Sequence, residues 1–145
     1  MAAALRNNIG AVLSLTTANA IASAAYAVAA DKLLIDNSTN KALLVDFELT
    51  AVFGAAPVAG SIQLYAVDWT LSGVTAGPAP TSVLLARYVG SFTPQPLASN
   101  AALSILMSLN SVALPNKCDY YLYNNATGQS LSVGAVLKAQ CWSPG

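Results

Sequence analysis

Asp46 and Glu48 are the closest pair of acidic side chains in the chain, two residues apart. On an extended strand that spacing puts both on one face, where two carboxylates can share general acid and general base work. A solvated strand face is the commoner outcome for such a pair, and nothing else in the sequence draws it toward chemistry. The other acids, Asp31, Asp36, Asp68 and Asp119, are scattered, and the chain has no histidine. That removes the usual general base, the usual partner of a nucleophilic Ser or Cys, and the commonest metal ligand. No dinucleotide, P-loop, HExxH or CxxC pattern occurs. The inventory predicts no enzyme, no catalytic site, no metal and no cofactor; a hydrolase using Asp and Ser alone is the weakest reading.

Cys118 and Cys141 stand 23 residues apart. They can form one disulfide if their strands are neighbours, but two cysteines do not make a disulfide framework. Buried free thiols acting as small hydrophobes are the commoner arrangement. The sequons Asn37-Ser38-Thr39 and Asn125-Ala126-Thr127 fall where turns are expected, and matter only in a eukaryotic secreted protein.

The remaining chemistry is aromatic. In LPNKCDYYLYNNATGQSLSVG, residues 114–134, Tyr120, Tyr121 and Tyr123 fall within four positions, half of the chain's six tyrosines. Alternation puts Tyr120 with Cys118 and Leu122 toward a core, and points Tyr121 and Tyr123 the other way, beside Asp119, partly exposed or at an interface. With Trp69 and Trp142, the tyrosines Tyr121 and Tyr123 are the candidate partner-contact residues. Exposed rings of this kind stack on sugars, with Asn or Asp binding hydroxyls. They are also enriched in protein–protein interfaces, and on strands they most often simply cover neighbouring rows.

Strands must position these rings. KALLVDFELTAVF (41–53) sets Leu43, Val45, Phe47, Leu49, Ala51 and Phe53 on one face and Asp46, Glu48 and Thr50 on the other. SIQLYAVDW (61–69) places Ile62, Leu64 and Ala66 opposite Gln63, Tyr65, Val67 and Trp69. VLLARYVGSF (83–92), CDYYLY and LSVGAVLKAQCW (131–142) also read as strands, the last with Leu131, Val133, Ala135, Leu137, Ala139 and Cys141 on one face. AVLSLTTA (11–18) and KLLIDNS (32–38) look like strands. Residues 101–114 mix strand and helix signals, with one strand or two short ones favoured; the alanine-rich segment 20–30 suits helix by propensity alone. CDYYLY, the NNATG turn and the alternating run after it form a hairpin. Seven to nine short strands predict an all-β sandwich or barrel in one domain.

Composition sets the company the chain keeps. Hydrophobic residues make up 55% and charged ones 8%, with six basic residues against six acidic. No net field attracts nucleic acid or an anionic membrane, and a weakly charged apolar surface tends to associate. The uncharged stretch from Asn7 to Ala30 is diluted by Ser, Thr and Asn, so it reads as a soluble segment, neither signal peptide nor span.

The order IQLYAVDWTLSG, ARYVGSFTP, LPNKCDYYLYNNATGQSLSVG, within residues 61–142, resembles small capsid decoration, or cement, proteins of tailed bacteriophages. The resemblance implies a jelly roll of two antiparallel sheets, about eight strands over residues 1–145, seated on the outer capsid surface of a virion assembled in the bacterial host cytoplasm. It implies the major capsid protein as partner, a homodimer or homotrimer, and no small-molecule substrate. The N-terminal third matches less well, and residues 1–10 are expected to be an arm lying on another subunit. A carbohydrate-binding module or tail-adhesin domain on a similar sandwich is the alternative.

Overall fold

Period-two patterning is realised as strands throughout: the computed structural model describes residues 6–55, 57, 59–81, 86–92 and 104–145, and these contain no helix. The strands are β1 (Asn7–Asn8), β2 (Leu13–Thr16), β3 (Ala25–Tyr26), β4 (Leu33–Asp36), β5 (Leu44–Val52), β6 (Ser61–Asp68), β7 (Arg87–Phe92), β8 (Ser104–Ala113), β9 (Lys117–Asn125) and β10 (Val136–Ser143). All pairings are antiparallel.

They form two sheets. In the first, β1 and β2 lie one after the other along one edge of β10, followed by β5 and β8. In the second, β3 and β4 share an edge of β9 in the same way, followed by β6 and β7. With each divided edge counted once, there are eight strand positions, and the first pairs with the eighth, the second with the seventh, the third with the sixth and the fourth with the fifth. That is a ribbon folded over on itself, a jelly-roll sandwich. Gly10, at φ +75°, turns the chain between β1 and β2, and a turn closed by Asp31 N–H to the Val28 carbonyl at 2.9 Å separates β3 from β4.

Between the sheets lie Val45, Phe47, Leu49 and Ala51 of β5, Leu137 and Ala139 of β10, Ile62, Leu64 and Ala66 of β6, and Cys118, Tyr120 and Leu122 of β9. The Phe47 and Tyr120 rings meet across the sandwich at 4.8 Å between centroids. Cys118 and Cys141 are buried free thiols on different sheets.

Some expectations need correction. Leu43 is exposed, because β5 starts after it, and Val133 is exposed, because Gly134 at φ +88° interrupts the alternation before β10 begins. The alanine-rich segment is short extended pieces joined by turns, with Ile21 bridging Leu131 and Ala25–Tyr26 pairing with β9; those sheet contacts override helix propensity. The favoured reading of one strand holds for residues 104–113, with a bulge, since Val45 faces Val112 but Phe47 faces Leu109. Asn7 and Asn8 of the expected arm pair with the chain's own Ser143 and Trp142; residues 1–5, and 83–85 of the 83–92 strand, lie outside the described residues.

Candidate functional site

Four tyrosines from four strands gather on the outer face of the second sheet. Tyr26 of β3 lies 4.6 Å from Tyr123 of β9 and 5.4 Å from Tyr65 of β6, between ring centroids. Tyr65 continues the cluster to Tyr88 of β7 at 5.6 Å and Tyr123 at 6.0 Å, in edge-on geometries. Such aromatic pairs contribute about 0.5–1.5 kcal/mol each beyond the area they bury. A bulge completes the cluster: Leu64 pairs with Gly90 but Tyr65 pairs with Tyr88, so Val89 is an extra residue that turns Tyr88 outward. Gly90 stays inward, where a Cβ would come within 2.9 Å of the Leu109 side chain.

The hydroxyls knit the rim. Tyr65 donates to Gln63 Oε1 at 2.8 Å, and the Tyr88 hydroxyl meets Ser91 Oγ at 2.6 Å. Tyr88 is 53% exposed, while Tyr65 is buried. Burial, and then the neighbouring hydroxyls of Tyr65 and Tyr123, push the Tyr26 hydroxyl up to about 12. The cluster is built from four tyrosines with no Lys, Arg, Asp or Glu among them, an uncharged aromatic surface.

The four sequence-predicted contact residues are not brought together. Tyr123 belongs to the cluster. Tyr121 points to the same outer face, as expected, but it is only 1% exposed, which corrects its assignment as a partly exposed or interface residue. The outer face here is not a solvated one: Val67 and Asp119 are buried beside it, and the β6–β7 connection folds back onto it, with no room for a side chain at Gly77 against Val67 Cγ1. Lys32 bonds Asp119 Oδ2 at 3.0 Å on the same face.

Trp69 and Trp142 sit apart from the tyrosines and from each other. Lys117 Nζ stands 4.0 Å over the Trp69 ring, and the Arg6 guanidinium 4.9 Å over the Trp142 ring. Each indole thus has one face occupied by a cation of its own chain. Trp142, on the first sheet, also donates Nε1–H to Asp46 Oδ1 at 3.0 Å.

Asp46 is a structural hub. Besides Trp142 it accepts the Ser111 N–H at 2.7 Å, the donor freed by the β8 bulge where Ser111 adopts φ +56°, and it pairs with Arg6. Burial pushes its carboxyl up, but the bonds from Ser111, Trp142 and Arg6 together hold it below the ordinary value. Its strand neighbour Glu48 is exposed and, among the described residues, has no hydrogen-bond or ion-pair partner. The two carboxylates thus have different surroundings, Asp46 tied to three donors and Glu48 solvated. Both line a cleft of about 410 Å³ on the outer face of the first sheet, with Lys138, Gln140, Ser108 and Asn110. Among the described residues no group of three or more His, Cys, Asp or Glu is placed to hold a metal ion, and no helix is long and apolar enough to cross a membrane.

Sequence reasoning missed Tyr26, Tyr65 and Tyr88 as a site. Tyr65 was readable on the outward face of its strand; Tyr88 needed the bulge, and Tyr26 lay in a segment whose alternation was silent. No protein-family model matches the chain, and a search of curated proteins finds no significant match.

Proposed function

We propose that this chain is a structural virion protein that decorates and cements the outside of an icosahedral bacteriophage head, bridging subunits of the major capsid protein. The observation that carries this reading is the uncharged aromatic surface of the second sheet, centred on Tyr65 and opening at Tyr88. The segments that resemble cement proteins form β6, β7 and β9, three adjacent strands of that sheet, and supply Tyr65, Tyr88 and Tyr123. Cementing needs no chemistry. It needs surface shared between subunits, stabilising by about 25 cal/mol per Å² of apolar area removed from water, less the cost of association. An aromatic face without charge suits that task and makes attachment insensitive to salt.

Co-sedimentation of the purified chain with heads assembled without it tests this reading, at low and at high salt. Stoichiometric, salt-tolerant binding that raises the thermal resistance of the heads is expected, with Tyr88→Ser weakening it. Absence of binding overturns the proposal.

A carbohydrate-binding module is the second reading, favoured by the polar cleft on the first sheet, where Glu48, Lys138, Ser108 and Asn110 have no side-chain partner among the described residues. Neither Trp69 nor Trp142 lines that cleft, which leaves it without an aromatic platform for a sugar. A glycan array with Lys138→Ala as control separates the two.

A further inference from the structure

The outer face of the first sheet carries two opposite charges that no described residue answers. Lys138 of β10 and Glu48 of β5 are exposed and stand directly opposite each other in register. Side chains so placed leave the backbone about 4.5–5.5 Å apart at Cβ, yet the two form no ion pair among the described residues. Ser108 of β8 continues the same row on the far side of Glu48. All three line the cleft of about 410 Å³. That volume falls at the small end of the roughly 300–1,000 Å³ typical of a small-molecule site.

The rest of the cleft is already tied together. Arg6 and Asp46 pair with each other, and Arg6 Nε also donates to Asn8 Oδ1 at 2.8 Å. Gln140 Nε2 donates to the Cys141 carbonyl at 3.0 Å and to the Gly10 carbonyl at 3.3 Å. With those groups matched internally, the free inventory is one cation, Lys138, one anion, Glu48, and the neutral hydrogen-bonding side chains of Ser108 and Asn110. Walls held in place beforehand reduce the ordering cost that weakens binding.

We propose that this cleft binds a small zwitterion, a free α-amino acid with an uncharged polar side chain, its carboxylate on Lys138 and its ammonium on Glu48. The two charges of an α-amino acid flank a single carbon atom, and so match charged heads on neighbouring strands. Each contact is a hydrogen bond between ionised groups, the stronger kind. Ser108 and Asn110, beside Glu48, are left to hydrogen-bond the ligand's side chain. A neutral sugar answers neither charge, and a singly charged molecule leaves one of them unmatched. The cleft and the tyrosine cluster lie on opposite outer faces of the sandwich, so this site stands or falls independently of head binding.

The test is a nitrogen–proton NMR titration of the full chain with L-serine, L-asparagine and L-glutamine, at about pH 6.5, where an α-amino group is charged. The N-acetyl derivatives, which lack the ammonium, the α-amides, which lack the carboxylate, and D-glucose are titrated alongside. At least one of the three amino acids is expected to give saturable shifts confined to amides around Glu48, Ser108 and Lys138. Each capped derivative is expected to bind about tenfold more weakly, as loss of one hydrogen bond to a charged group implies. Glu48→Gln is expected to bind the amino acid about tenfold more weakly and to stop discriminating against the N-acetyl derivative; Lys138→Gln does the same for the amide. Both positions are exposed, and circular dichroism verifies that the variants fold. Absence of saturable shifts with all three amino acids, glucose binding as tightly as they do, or variants that keep the parent's discrimination overturns the proposal.

Discussion

The two outer faces of the sandwich do opposite things with similar strands. On the second sheet, Tyr65, Val67, Asp119 and Tyr121 are buried although they point away from the core, and the tyrosine cluster extends this layer to the surface at Tyr88. On the first sheet, Glu48, Ser108 and Lys138 face water around an open cleft, while Asp46 and Gln140 are tied down. The same period of two thus yields a second buried layer on one side and an ordinary solvated face on the other. Alternation alone assigns a residue to a face; whether that face is covered depends on a loop elsewhere in the chain.

The sharpest way to break this contrast is to truncate one side chain on each face. Tyr121→Ala is expected to cost about 3–5 kcal/mol, the range for removing a fully buried aromatic ring, measured by urea unfolding. A value below about 1 kcal/mol would mean that the outer layer is not packed in solution.

Next in size is the response to alkali. Burial, ahead of neighbouring charges, pushes the Cys118 thiol up to about 12, and burial raises Tyr65 and Tyr121 as well as Tyr26. An acid with a raised folded-state value keeps its proton after the unfolded chain has lost it. Stability is therefore full below the ordinary thiol value of 9.0 and falls as the pH rises from there toward 12. A melting temperature unchanged between pH 8 and 11 would contradict the buried second sheet.

The first sheet responds to acid, and less strongly. The Asp46 carboxyl is held below its ordinary value of 3.8, so its contribution is present above that pH and is lost as the pH falls through the lower folded-state value. Asp46→Ala is expected to cost about 1–3 kcal/mol by leaving the Ser111 and Trp142 donors without their acceptor, and to remove part of this acid sensitivity. Smallest of all, Glu48→Ala and Lys138→Ala are each expected to stay within about 0.5 kcal/mol of the parent. A larger loss from either would show that the cleft side chains are coupled after all.

The all-β sandwich was legible because β5, β6, β9 and β10 are long and alternate, and Phe47, Leu64, Tyr120 and Leu137 face the core as their parity dictates. The divided edges were harder to see: β1 and β3 are two residues each, too short for any period. The site was half legible. Tyr123 could be placed from its own strand, whereas the close approach of Gly77 to Val67 comes from the β6–β7 connection, and the outward turn of Tyr88 from one extra residue at Val89. Both are long-range or register effects that no local window contains. The buried knot beneath the NNATG turn is similar: Asn124 Nδ2 reaches the Ile21 carbonyl at 2.9 Å and Thr127 Oγ1 bonds Asn124 Oδ1 at 2.6 Å, so these turn residues are core members.

The positions of β9 and β10 bear on how the chain comes to exist at all. Both follow the strands they pair with in chain order, and each occupies an interior place in its sheet, β9 between β3/β4 and β6, β10 between β1/β2 and β5. Until Lys117–Ser143 has been synthesised, the N-terminal strands have no hydrogen-bonding partner and the two sheets cannot close. Pairing of the two chain ends is also among the slowest events in folding, because it closes the longest loops. The sandwich therefore closes only after residues 117–143 have emerged, while β5 with β8 and β6 with β7 can pair earlier. A chain ended before residue 117 leaves β1 to β4 without their partners and is a substrate for chaperones and proteases.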